Sequence, residues 1–241
     1  MKNLLLHKIR LSYYLVGLFI VFAILVTVAP DMRFTTGALT LFSVNSFLYG
    51  FYIAPILTLQ KARIEELHKI VRAESNAIFA MVLSIKKLPD ELRNEIQDMF
   101  LSYLRSSIRQ QKPGEGEAKY EALITFCIDY KGKHQDQIDK LLDKLVANQQ
   151  NRTNFAMQMR NKVYNNEWTI MSILFGVTLS FIILLDTGDG YFYQLLAALL
   201  CTGLSMLFLI LIKLSTLTHK KARDVWGPYK KLIESHFYRI D

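Results

Sequence analysis

Four runs of this chain carry no charged residue and are each long enough to cross a bilayer, and this limits the fold more than any other feature. They are residues 11–30, 37–59, 168–185 and 191–212. A helix rises 1.5 Å per residue, so about 20 residues cover the roughly 30 Å hydrocarbon core. The first run follows Lys2, Lys8 and Arg10 as a signal peptide would, but its apolar core is too long for one, so it is read as an uncleaved span. Residues 31–36 join the first two runs and residues 186–190 the last two, so each pair forms a helical hairpin. The fold class is therefore an all-α membrane protein with four transmembrane helices in two hairpins.

Lysine and arginine set the expected orientation. They gather before the first run, after the second (Lys61, Arg63, Lys69, Arg72) and after the fourth (Lys213, Lys220, Lys221, Arg223). The short links hold only Arg33. The positive-inside rule then puts both termini and the long middle segment in the cytoplasm. Tyr13, Tyr14, Trp168, Tyr191 and Tyr193 sit near span ends, where an interfacial aromatic belt belongs. The resulting organisation is 1–59 for the N-terminal segment and first hairpin, 60–166 for a helical cytoplasmic domain, 167–213 for the second hairpin and 214–241 for a basic cytoplasmic tail.

Topology also accounts for the net charge of +8, so nucleic acid is not an expected partner. Cys127 and Cys201 read as free thiols. No G-x-S-x-G, P-loop or H-E-x-x-H pattern is present. We therefore name no catalytic residue, metal site or cofactor, and the chain is not read as an enzyme.

Within the middle segment, Ile64, Leu67, Ile70, Val71, Ile78, Met81 and Val82 recur at helical spacing. The second span is expected to continue through them as one long helix. Leu88-Pro89-Asp90-Glu91 opens a second helix, with Leu92, Ile96, Met99, Phe100, Tyr103 and Leu104 on its apolar face. It ends before the Lys112-Pro113-Gly114 break. A third helix starts near Glu117. A fourth, near 135–163, carries Ile138, Leu141, Leu142 and Leu145 and leads into the third span with little punctuation.

Glu74-Ser75-Asn76-Ala77-Ile78, then Leu88-Pro89 through Tyr103-Leu104, then Arg152, resemble the bacterial bestrophin-like domain family over about 60–185. The resemblance implies a homo-oligomeric ion channel, a pentamer, in the bacterial inner membrane, with lipids, inorganic ions and further copies of itself as partners. The alternative is a non-conducting membrane sensor or scaffold whose cytoplasmic bundle binds a protein or lipid.

Candidate sites follow from periodicity. Asn45, Tyr49, Tyr52 and Ile56 share one face of the second span and are expected to line a pore, or else to pack between helices. Pro55 is a candidate gate or hinge. Glu74 and Asn76 could form a cytoplasmic ion vestibule, or a solvated face in which Glu74 pairs with Arg72 or Lys69. Ser172, Gly176 and Ser180, four apart, form a row of small residues expected to act as a helix-packing seam, within a subunit or between subunits. Ala198, Thr202 and Ser205 could face that row.

Overall fold

The computed structural model describes residues 11–109, 115–186, 190–218 and 224–234. Lys2, Lys8, Arg10, the Lys112-Pro113-Gly114 break, Gly188, Asp189, Lys220, Lys221, Arg223 and Arg239 lie outside these. Eight α-helices follow in order among the described residues: α1 (Leu11–Val28), α2 (Thr36–Ser84), α3 (Asp90–Arg109), α4 (Glu115–Asp129), α5 (Gln135–Arg160), α6 (Asn165–Leu184), α7 (Tyr191–Ser215) and α8 (Gly227–Glu234). Two short 3-10 turns, Ile85–Lys87 and Asp224–Trp226, complete them. Stretches of α1, α2, α6 and α7 are long and apolar enough to cross a membrane.

The helix α2 is unbroken for 49 residues, with Pro55 inside it. Its length comes from sequence continuity, because no Gly or second Pro interrupts it after Pro55. The expected continuity of α5 into the third span is corrected. The helix α5 stops at Arg160, and residues 161–164 are not helical. Tyr164 is extended, and its backbone N–H donates to Glu167 Oε2 at 2.9 Å, so α6 starts afresh with a capped N-terminus.

The chain divides into two compact units. One comprises Met1–Ile64 and Lys162–Ala222, the other Glu65–Asn161 and Arg223–Asp241.

In the first unit α1 packs chiefly on α7. Phe22 and Val26 meet Ile182, Ala198 and Cys201 in one cluster. Tyr49, Ile53 and Ile56 meet Met171 and Leu211 in another. The two links are also tied together. Met32 N–H donates to Leu184 C=O at 2.9 Å, Asp186 N–H returns to Met32 C=O at 3.1 Å, and Arg33 Nε meets Asp186 Oδ2 at 3.0 Å. Among the described residues two cations are buried in this unit. Arg63 Nη1 reaches Gln60 Oε1 (2.9 Å) and the Ser215 carbonyl (3.4 Å), and the Lys213 ammonium lies 4.6 Å from the Tyr14 ring centre. Both occupy the C-terminal end of α7, where orphan carbonyls favour positive charge.

The second unit has an ordinary apolar core. Ile78 and Met81 of α2, Ile96, Phe100 and Leu104 of α3, Leu123 of α4, and Ile138, Leu141 and Leu145 of α5 are all buried. The helix α3 packs on α4, α4 on α5, and α8 on α3.

Candidate functional site

The polar face of the second span turns inward within the first unit. Asn45 Nδ2 donates to Thr178 Oγ1 at 2.8 Å and to the Leu174 carbonyl at 3.1 Å, both on α6. Tyr49 is buried, its ring 5.9 Å from Phe175, and its hydroxyl has no hydrogen-bond partner among the described residues. Ile56 is buried in the same cluster, and Tyr52 packs against it. Each of these four side chains meets protein of its own chain, so the pore-lining expectation is corrected to the packing alternative. A lone amide inside an apolar helix bundle finds an interhelical partner because lipid offers none.

The opposite face of α2 is uncovered. Thr40, Val44, Phe47, Phe51, Ala54 and Thr58, spaced by alternate steps of four and three, are all exposed. Phe47 and Phe51 stack at 6.0 Å between ring centres. Pro55 is exposed beside them, and the helix runs through it.

The small-residue row is also outside the packing of the chain. Ser172 and Ser180 are exposed, and a Cβ added at Gly176 would meet nothing within 4 Å. The face of α6 that packs within the chain carries Met171, Thr178 and Ile182 instead. Ala198, Thr202 and Ser205 are buried on α7.

Glu74 lies in a different setting from the one expected. It is 1 % exposed, while Asn76, two residues on, faces outward. The structure therefore does not bring the pair together as a vestibule, nor does it give Glu74 a partner in Arg72 or Lys69, and Lys69 pairs with Glu66. Residue 74 is on the inward face of α2, one turn from Val71 and Ile78. There it accepts a hydrogen bond from Tyr103 on Oε1 and one from Tyr229 on Oε2 at 2.5 Å. Arg152 Nη1 stands 3.6 Å from Oε1.

The guanidinium of Arg152 is itself enclosed. It lies 4.0 Å from the Tyr120 ring centre and 4.7 Å from that of Tyr103, and its Nη2 bonds Glu117. Tyr120 donates to the Leu145 carbonyl at 2.8 Å, and Asn148 Nδ2 donates to the Tyr120 oxygen at 3.2 Å. Five helices of the second unit thus meet on one carboxylate and one guanidinium: α2, α3, α4, α5 and α8.

The electrostatics follow from this enclosure. Burial, then the Glu74 charge, pushes the Tyr103 and Tyr229 hydroxyls well above their ordinary range. Burial pushes Tyr120 up to about 12. All three stay protonated and act as donors. Burial pulls Arg152 down, but the negative charges of Glu74 and Glu117 beside it outweigh that and raise it. A charge pair removed from water is best tolerated when its remaining lone pairs and protons are also satisfied; two tyrosines and a second carboxylate supply part of this, while Arg152 Nε has no hydrogen-bond partner among the described residues.

The sequence reading had not joined these residues. Glu74, Tyr103 and Arg152 are widely separated, and their charges and hydroxyls carry no helical periodicity of their own. All three belong to the family resemblance, Glu74 being also a vestibule candidate and Tyr103 a member of an apolar helix face, and the structure gathers them into one cluster. Tyr229, the partner from the tail, carried no signal beyond its place in Trp226-Gly227-Pro228-Tyr229.

Comparison with known proteins bears on the same architecture. The crystal structure of a membrane protein matches with a TM-score of 0.57 at 9% identity, over 93% of this chain and 99% of that one, a likeness of fold. No curated protein matches the sequence. The model of the bestrophin-like domain matches residues 11–219, from the start of α1 past the end of α7, and includes every cluster residue but Tyr229. The chain therefore belongs to the bestrophin-like domain family.

Proposed function

We propose that this protein is an oligomeric ion channel of the inner membrane. In this reading α1, the first part of α2, α6 and α7 span the bilayer, with both termini and residues 60–166 in the cytoplasm. Several copies, five by family resemblance, surround an axis lined by α2.

One observation carries the choice of α2. The outward face of α1 is aliphatic, with Leu15, Val16, Ile20, Val21 and Ile24 exposed, as hydrocarbon requires. The outward face of α2 mixes Thr40, Ser43, Gly50, Ala54 and Thr58 with a stacked Phe47–Phe51 pair. Its hydroxyls bond carbonyls of their own helix (Thr40 to Thr36, Ser43 to Leu39, Thr58 to Ala54), and with the small residues they form a face that admits water or the close approach of a neighbouring subunit. An aromatic pair among them is the composition of a constriction that gates by dewetting. The inward Asn45 face holds the helix in place rather than lining the path. The row of exposed Ser172 and Ser180 with Gly176, where no described residue would meet an added Cβ within 4 Å, then serves close approach between subunits.

The test is electrical. Purified protein in planar bilayers should pass current under an ion gradient, and Phe47→Ala with Phe51→Ala should raise conductance severalfold, while Tyr52→Ala should not. Absence of current under every voltage and salt gradient would overturn the channel reading. Monomers, or oligomers with a lipid-plugged axis, would instead favour a non-conducting sensor or scaffold.

A further inference from the structure

A cavity of about 390 Å³ lies where the link ends of α2, α6 and α7 converge, within the size range of small-ligand sites (roughly 300–1,000 Å³). It is separate from the α2 face discussed above. Its body is apolar, formed by Phe42, Phe181, Leu196 and Leu200, and its link end carries Asp186 and Tyr193. The wall is braced, because Phe181 stacks on Phe34 at 4.4 Å and on Phe42 at 5.1 Å between ring centres. Along α7 it runs from Tyr193 to Leu200, about 10 Å, or roughly a third of a hydrocarbon core.

The polar end has a definite charge pattern. Asp186 accepts from Arg33 Nε at 3.0 Å, and the Arg33 side chain is 93% exposed against 26% for Asp186. A guanidinium has five donors, so Arg33 has others to offer at headgroup level. Exposed Tyr191, Phe192 and Tyr193 mark that level. An exposed cation beside a half-sheltered carboxylate, above an apolar slot, complements a molecule with phosphate, ammonium and acyl chain in that order.

We infer that this cavity binds a phospholipid whose headgroup carries a primary ammonium, of the phosphatidylethanolamine type. Its phosphate meets Arg33, its ammonium donates to Asp186, and one acyl chain fills the slot between Phe42, Phe181 and Leu200. Phosphatidylglycerol offers Asp186 no cation and binds less well. The inference rests on these helices spanning a bilayer but not on conduction, and its readout is lipid binding rather than current.

The experiment is titration of the delipidated full chain in detergent with phosphatidylethanolamine and phosphatidylglycerol of equal chain length, read by native mass spectrometry. The wild-type chain should prefer phosphatidylethanolamine by at least fivefold. Asp186→Asn should bring that preference close to one. Arg33→Gln, at an exposed position with little effect on folding, should weaken both lipids. Leu200→Trp should weaken both by filling the slot. Equal binding of the two lipids by the wild-type chain, an unchanged preference in Asp186→Asn, or retention of neither lipid would overturn the inference. Carbonate extraction tests the membrane placement separately, since release of the protein by alkali would sink that reading first.

Discussion

The two units solve the problem of a buried polar group in opposite ways. In the first unit Asn45 is answered by one hydroxyl and one backbone carbonyl on a neighbouring helix, and the buried Arg63 and Lys213 lie apart from it at the C-terminal end of α7. In the second, Glu74 and Arg152 are answered by side chains from every helix of the unit. The outer surfaces differ in the same sense, with large aliphatic side chains on α1 and α7 and charged ones such as Glu91, Glu95 and Asp98 on α3. Where the surroundings are apolar, a single hydrogen bond is a local adjustment. Where opposite charges are enclosed together, partners have to come from the helices around them. The first unit therefore depends on packing, and the second depends on a single polar centre.

The largest expected effect is at that centre. Arg152→Met leaves Glu74 enclosed without a counter-charge and should cost about 3–5 kcal/mol in unfolding measurements. Combining it with Glu74→Leu should recover part of the loss, because two apolar groups leave no orphan charge. A double variant as unstable as the sum of the two singles would show that the pair is not a unit. Tyr229→Phe comes next. It removes one charge-assisted hydrogen bond, worth about 1.5–3 kcal/mol, and should loosen amide protection in α8 before α4 when followed by hydrogen exchange. Asn45→Leu should be smallest, about 0.6 kcal/mol, since Thr178 also donates to the Leu174 carbonyl at 2.8 Å and keeps a partner. A loss at Asn45 as large as that at Arg152 would erase the contrast between the units.

Much of the helical layout could be read in the sequence because it rests on periodicity. Apolar residues at three- and four-residue spacing mark α2 beyond the span, and Pro89 with Asp90 and Glu91 marks the start of α3. What could not be read was which side of a span faces inward. Asn45 and Phe47 are two residues apart on α2, and both packing and pore lining make sense of either face. Burial of an amide in a bundle and exposure of an aromatic to a channel leave the same composition in the chain. The break at 161–164 was missed for a local reason. No Gly or Pro occurs there, and the stop depends on a glutamate side chain, Glu167, turning back to cap Tyr164. The Glu74 centre was missed because a contact 155 residues apart has no periodic trace.

That separation has a consequence for how the chain is made. Glu74 leaves the ribosome 155 residues ahead of Tyr229. Until then one oxygen of the buried carboxylate lacks its donor, and the second apolar hairpin is synthesised in the interval. Closing so distant a contact is slow in any chain, and here it cannot precede translation of the tail. The second unit is thus completed only once Tyr229 has been made, after the whole of the first. A ribosome stalled before that point would display a bundle already folded around its apolar core, holding a charge that still awaits its final ligand.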